Sequence, residues 1–428
     1  MRLAGVQKDY GSKTVKICML IWDYWPCQEG GSERQSRLVA TRLAAKGIDC
    51  EIISSWFSYS LPRVQSDGRT LIRRFGFLCP VVTFVRRAFK YVQSAVRNSR
   101  RFSGVDDLAT FERRQKVVEF WFMLPFVWIS RLLFIIALGL YFAFRKPVYS
   151  VIHLHEPSWL GGVAVWLSRW SGSRVLCQEA TSPALSVIGY DTPFRKVWGH
   201  LRLKADYIAM APYIRTGLLA KGIKSDKIKD LPNGVVVPGE AADCARQKEV
   251  LYVGNFSQGA EWKAFDVLMQ AWSLVHQRIP EAHITFVGGG DYSVWQEMAR
   301  KDGCLESITF AGRTSAPGGF FSKAGMFVLP SRVEGLSNAL LEAQSWGLPA
   351  VVSDIPGNIA VVENEVNGIV SITGNSRSLA DAMLCLLSDD SLRKRLGEAA
   401  RKKAEKCFNI DVVVDDLIKI YCKLEADA

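Results

Sequence analysis

The chain of 428 residues reads as an α/β protein with two parallel-sheet domains. Three observations predict this. Short apolar runs alternate with helix-forming stretches twice over, once on each side of a polar segment at 239–247. The length exceeds what one core holds, and an apolar content of 49% is ample for two. Charge divides at nearly the same place: residues 1–236 carry 35 Lys/Arg against 17 Asp/Glu, and residues 237–428 carry 19 against 25. A basic first half points to an acidic partner, anionic lipid or nucleic acid, with a merely solvated face as the plain alternative.

Composition narrows the setting. The ten cysteines stand singly, without a C-x-x-C pair or His/Cys ligand spacing, so neither zinc nor a disulfide framework is expected and a reducing cytosol fits. No metal and no cofactor is predicted. Residues 1–15 lack the apolar stretch of a signal peptide.

In chain order, residues 15–22 (VKICMLIW) form a first strand, followed by a loop ending in Gly30-Gly31. Ser32 can cap a helix reaching about 46–47, and residues 50–54 form a second strand. This βαβ unit puts the diglycine where a phosphate or sugar can approach backbone N–H groups. Residues 151–154 are a strand running into His155-Glu156-Pro157. A helix at 161–170, a strand at 174–177, a loop at 179–183, a strand at 207–211 and a helix at 214–221 complete the first half, which closes on Pro232-Asn233-Gly234. After the linker come strand 250–254, helix 264–278, strand 283–288, helix 292–301 and strand 308–312. Next is GMFVLPSRVEGLSNALLEAQSWGLPAVVSD (325–354), a strand, loop, helix and strand. Its helix, 339–346, is rich in good helix formers and is stopped by Gly347 and Pro349. Helices run from about 376 to the end.

Residues 57–146 interrupt the alternation. Up to Lys116 the segment carries many arginines among aromatics, and 117–144 is strongly apolar but broken by Glu119, Pro125 and Arg131. The uncharged pieces, 11 and 13 residues, each fall short of the ~20 needed to span a bilayer. A helical hairpin on or partly in an anionic membrane surface is favoured over a buried core helix or a true span, since each nearby Lys/Arg adds about 1 kcal/mol there.

The loop before residue 339 offers unpaired N–H groups at Gly335, Leu336, Ser337 and Asn338, at the positive end of a helix. Gly254 and the run Gly288-Gly289-Gly290 stand at two other strand ends, so a phosphate-bearing ligand across the strand tips is expected, with Lys263 to neutralise it. Glu334 and Glu342, eight residues apart, flank that helix start. On one helix they would be about 12 Å apart along the axis, too far for a hydrolase pair at about 5–10 Å. They read better as separate ligands of one long molecule, Glu342 accepting from two adjacent hydroxyls as on ribose.

Together Gly30-Gly31, Pro232-Asn233-Gly234-Val235, Val253-Gly254, Gly288-Gly289-Gly290, Pro330-Ser331, Glu334-Gly335, Glu342-Ala343, Gly347-x-Pro349 and Asn367-Gly368 resemble the family 4 retaining glycosyltransferases of the GT-B fold, whose E-x7-E element matches Glu334 and Glu342. The resemblance covers roughly 15–54 and 148–424. It implies two Rossmann-like domains facing across a cleft: an acceptor domain (1–238, with the 57–146 insertion), a linker (239–247), a nucleotide-sugar domain (248–405), and a C-terminal helix (406–428) that returns to the first domain. It also implies that Glu342 holds the ribose and Glu334 the donor sugar. The N–H groups of 335–338 with Lys263 would stabilise the leaving diphosphate without a metal, and His155 would stand near the sugar. Gly30, Gly31, Asn233, Gly254, Asn255 and Gly289 complete the donor set. Two departures stand out. Where the family commonly has Arg, this chain has Asn255, with Arg313 and Arg332 as unranked substitutes; and of His153 and His155 one is structural, with His155 preferred for the site.

The expected activity is transfer, with retention, of a sugar from a UDP- or GDP-sugar to a lipid-linked saccharide or lipid acceptor in cell-surface polysaccharide or glycolipid synthesis, at the inner face of the cytoplasmic membrane. Nine of thirteen tryptophans lie before residue 237, which fits a membrane-facing first domain. The alternatives are a nucleotide-sugar 2-epimerase and a non-catalytic membrane-associated scaffold. Nucleic-acid binding is not expected, because the basic residues are interleaved with apolar runs and form no recognisable module.

Overall fold

The computed structural model describes residues 15–22, 24, 30–76, 79–99, 105–155, 158–179, 192–244, 248–256, 261–314 and 316–427. Glu156-Pro157, the loop 180–183, the linker end 245–247 and much of the arginine tract near residue 100 lie outside the described residues or side chains.

The first half runs β1 (Lys16–Leu20), α1 (Gly31–Ala45), β2 (Asp49–Ser55), β3 (Val64–Asp67), β4 (Thr70–Phe75), α2 (Cys79–Ser99), α3 (Val105–Arg145), β5 (Val151–His155), α4 (Leu160–Ser171), β6 (Arg174–Glu179), α5 (Arg195–Arg202), β7 (Asp206–Ala209), α6 (Pro212–Ala220) and β8 (Ile228–Asp230). Its strands make an eight-stranded sheet, β3-β4-β2-β1-β5-β6-β7-β8, parallel except for the β3–β4 pair. The second half runs β9 (Glu249–Val253), α7 (Phe265–Arg278), β10 (His283–Val287), α8 (Ser293–Lys301), β11 (Ile308–Gly312), α9 (Gly318–Phe321), β12 (Met326–Leu329), α10 (Asn338–Ser345), β13 (Ala350–Ser353), α11 (Pro356–Ile359), β14 (Gly368–Ser371), α12 (Ser376–Ser388), α13 (Asp390–Lys403) and α14 (Ile410–Ala426). Its six strands are ordered β11-β10-β9-β12-β13-β14, all parallel. Helices cover both faces, so the inner strands are continuous apolar runs: all four residues of β12 and of β13 are buried. This is the GT-B architecture, two doubly wound sheets whose strand ends face one cleft.

As expected, the C-terminal helix returns to the first half. Val235 N–H donates to the Phe408 carbonyl at 2.7 Å and Ile410 N–H to the Val235 carbonyl at 2.9 Å. α14 then lies along α1, where Lys46 meets Asp415 at 2.7 Å, and Tyr421 reaches His153 under β5. The linker is anchored to the second half: Ala242 N–H donates to the Trp346 carbonyl at 2.8 Å, and the buried Arg393 holds the Cys244 carbonyl at 3.0 Å.

The 57–146 segment departs from expectation in two ways. First, β3 and β4 extend the sheet, β4 running parallel to β2. Second, the two apolar pieces are one helix: α3 runs unbroken through Pro125 and Arg131. Within it Val117–Arg145 is long and apolar enough to cross a membrane by length and composition. Its latter part is nevertheless core, with Phe134, Ile135, Leu138 and Phe142 buried against the first sheet, each worth about 1.5–3 kcal/mol in removed apolar surface. The Arg131 guanidinium lies 5.3 Å from the Trp159 ring and 5.8 Å from that of Trp22, and donates to Thr192 Oγ1 at 2.6 Å, so the charge faces protein. The earlier part, with α2, leaves Phe84, Trp121, Phe122, Trp128 and Ile129 exposed.

Candidate active site

A cavity of about 1040 Å³ lies between the two sheets at their strand ends, where open parallel sheets bind ligands. Thirteen of the fourteen residues singled out from the sequence line it: Gly30, Gly31, His155, Asn233, Gly254, Asn255, Lys263, Gly289, Glu334, Gly335, Leu336, Ser337 and Asn338. The fourteenth, Glu342, lines an adjoining cavity of about 780 Å³, and Arg34, Gln35, Pro317 and Asn338 line both. The two carboxylates therefore face neighbouring compartments, in keeping with two contacts to one long ligand.

The floor on the C-terminal side is built from backbone. Ser337 caps α10, its Oγ accepting from Leu340 N–H at 3.5 Å, and the first bond of the helix is Leu341 N–H to the Ser337 carbonyl at 3.0 Å. The N–H groups of 335–338 precede that bond and point out of the helix start. Gly288 sits at φ +155°, and a Cβ there would stand 1.6 Å from the Gly254 carbonyl oxygen, so the tips of β9 and β10 approach only because Gly288 lacks a side chain. Gly357, absent from the sequence reading, does the same under the carboxylate loop, where a Cβ would lie 2.1 Å from the Gly335 oxygen.

Glu334 is fixed from three sides. Lys263 Nζ lies 2.5 Å from its Oε1, Ser331 Oγ donates to the same oxygen at 2.7 Å, and Tyr213 from the other domain donates to its backbone carbonyl at 3.1 Å. Glu342 is largely buried on α10 and pairs with Arg34 Nη2 at 3.3 Å. Burial pushes its pKa up and the Arg34 charge draws it back. Of the two candidate cations, Arg313 lines the main cavity, whereas Arg332 is held in a fork by Asp266 at 2.7 and 2.9 Å. That geometry removes Arg332.

The N-terminal wall is built from side chains. His155 ends β5, is buried, and among the described residues its Nε2 has no hydrogen-bond partner. Burial lowers its pKa to about 4, so the ring is neutral near pH 7. His153 lies deeper, its Nδ1 2.7 Å from Tyr421 OH, and does not line the cavity. Amides then link the domains. Asn338 Oδ1 accepts from Asn233 Nδ2 at 2.9 Å and Gln35 Nε2 at 3.2 Å, while its Nδ2 donates to the Gly31 carbonyl at 3.1 Å. Gln178 donates to Asn233 Oδ1 at 2.8 Å. Arg34, Gln35, Gln178 and Tyr213 were not singled out from the sequence, because their partners lie 55 to 308 residues away. Helix α1 also starts earlier than expected: Gly30 is its N-cap and Ser32 lies inside it. Among the described residues no group of three His, Cys, Asp or Glu is placed to hold a metal ion.

Residues 247–389 match the family described as Glycosyl transferases group 1. That match falls on the second of the two sheet domains of this GT-B fold and covers about a third of the chain. An uncharacterized glycosyltransferase of Haemophilus influenzae is 24% identical over 196 residues, 45% of this chain and 54% of the relative, so the match spans about half of that relative's length. A phosphatidyl-myo-inositol mannosyltransferase of Mycobacterium leprae is 27% identical over 64% of this chain and 73% of its own. A UDP-Gal:alpha-D-GlcNAc-diphosphoundecaprenol alpha-1,3-galactosyltransferase of Escherichia coli is 32% identical over 33% of this chain and 37% of its own. Among solved structures, a sucrose-phosphate synthase from Thermosynechococcus elongatus superposes over 97% of this chain and 100% of its own, with a TM-score of 0.72 at 19% identity. The stretch that matches this family supplies Gly254, Lys263 and Glu334 to the main cavity and Glu342 to the adjoining one, and the first half supplies His155.

Proposed function

We propose that this protein is a retaining glycosyltransferase that moves a sugar from a nucleotide diphosphate sugar, UDP- or GDP-linked, to a lipid or lipid-linked saccharide. One observation carries the reading: Lys263, Glu334 and the outward N–H groups of 335–338 share one compartment, while Glu342 faces the next. A nucleotide sugar lying across both places its ribose hydroxyls on Glu342, its diphosphate at the start of α10, and its sugar at Glu334 beside His155. As the sugar–oxygen bond lengthens, negative charge grows on the diphosphate, where aligned N–H groups and Lys263 meet it without reorganising and no metal is needed. The departing phosphate oxygen takes the proton of the acceptor hydroxyl, which attacks from the same face. The neutral His155 ring offers a hydrogen bond to the sugar without adding charge.

The relatives supply the acceptor class by their names, a phosphatidylinositol and a diphosphoundecaprenol saccharide. The exposed aromatic residues of α2 and α3, in a first half that carries 35 Lys/Arg against 17 Asp/Glu, support a seat on the anionic inner surface of the cytoplasmic membrane.

Thermal stabilisation by UDP, GDP and ADP tests the donor side. One of them, at 100 times its dissociation constant, is expected to add about 2.7 kcal/mol, and Glu342→Ala should remove most of that gain. Donor turnover without acceptor, giving an epimer, would replace transfer with epimerisation. Flotation with phosphatidylglycerol vesicles tests the membrane seat: binding should weaken as salt rises and drop in Trp121→Glu, and no binding at low salt would refute it.

A further inference from the structure

We propose that Arg34 is the second cation of the donor site, carried to the diphosphate by the N-terminal domain once the ribose has taken Glu342 from it. This rests on the glycosyltransferase reading above and assigns a role that reading leaves open.

The cavity is short of positive charge where the leaving group would lie. Asn255 at the tip of β9 is neutral, and Lys263 is already paired with Glu334 at 2.5 Å. Arg313 stands beside Gly289 at the tips of β10 and β11, toward the outer edge of the sheet. The helix start and Lys263 belong to β9 and β12 at its middle. Arg34 fills the gap from across the cleft. It lies in the first turn of α1, just past Gly30-Gly31, and lines both compartments. The other arginines of that helix pair within the first sheet domain or with α14: Arg37 with Asp67 at 2.9 Å and Arg42 with Asp411 at 3.4 Å. Arg34 alone among the three reaches a carboxylate of α10, at the group expected to hold the ribose.

That pair is poised to exchange. The Arg34 side chain is 53% exposed, and an ion pair this open to water is held weakly. Two ribose hydroxyls donating to Glu342 satisfy it in place of the guanidinium, which then turns to the adjacent diphosphate, a group its fork of N–H donors fits in bidentate fashion. Since Arg34 sits on the domain opposite the nucleotide, the leaving group gains this charge only with the cleft closed. Donor cleavage is thereby coupled to the presence of the wall that bears the acceptor.

The experiment uses the full-length protein and whichever of UDP, GDP or ADP stabilises it, with the matching nucleoside as a second probe in calorimetry. Arg34→Ala is expected to weaken the diphosphate about tenfold, the loss of one charge-assisted contact. The nucleoside should bind unchanged or more tightly, because Glu342 has lost its competitor. The kcat of transfer should fall about a hundredfold, and adding Asn255→Arg to Arg34→Ala should restore most of both losses by returning a guanidinium to the same cavity. Equal weakening of nucleoside and diphosphate, or a diphosphate affinity and kcat left intact, would overturn the proposal and leave Arg34 a tie between domains. A wild-type protein that binds no nucleotide at all would instead refute the glycosyltransferase reading itself.

Discussion

The C-terminal wall of the cleft presents backbone, with the glycine tips of β9 and β10 and the N–H groups ahead of α10, whereas the N-terminal wall presents the side chains of Gln35, His155, Gln178 and Asn233. A backbone wall needs glycine at fixed places and a helix start, and under the proposed function it would serve any donor with a diphosphate. A side-chain wall can be retuned residue by residue, which would suit the side proposed to receive the acceptor. The same contrast separates the even alternation of residues 248–375 from the 57–146 segment, where sheet, core helix and exposed aromatic face share one stretch.

Breaking the charged centre of the backbone wall should have the largest effect. Lys263→Ala removes the cation beside Glu334 and is expected to lower kcat by about 10²–10³, read in a transfer assay with the donor base identified by melting. Next comes the backbone itself: Gly288→Ala forces a Cβ against the Gly254 carbonyl and should cost about 2–4 kcal/mol, measured as a fall in the denaturant midpoint. Loss of activity without loss of stability would mean the strand tips can part. The smallest effect sharpens the other wall. With its pKa lowered to about 4, His155 stays neutral through mild acid, so the pH–rate profile should lack an imidazole limb near pH 6.5. The sign for stability follows from a depressed folded pKa: the contribution is complete above about 6.5 and declines as pH falls toward 4. His155→Asn should flatten that decline, and an unchanged slope would show that His155 is not its source.

Most of the C-terminal wall was legible because its pattern is local. Gly335 to Asn338, Glu342 and the stop at Gly347 sit within one strand–helix unit, so spacing alone placed the helix start and the second carboxylate. The amide network was not legible, since nothing near Asn338 in the chain announces Gly31, Gln35 or Asn233 as partners. Nor did local pattern separate His153 from His155; the arrival of Tyr421 from the last helix did. Pro125 and Arg131 read as breaks in 117–144, yet the helix carries both, because Arg131 finds Trp22, Trp159 and Thr192 on other elements.

The sequence by itself determined the two parallel sheets, the glycine tips, the helix start between two carboxylates and the imbalance of charge, because each depends on periodicity, backbone freedom or composition within a short span. Only the tertiary structure decided that Arg332 belongs to Asp266, that half of the apolar insertion is core, and that Arg34 bridges the cleft to Glu342. Those outcomes depend on which distant groups meet, and an exposed arginine has no local preference that would reveal its partner.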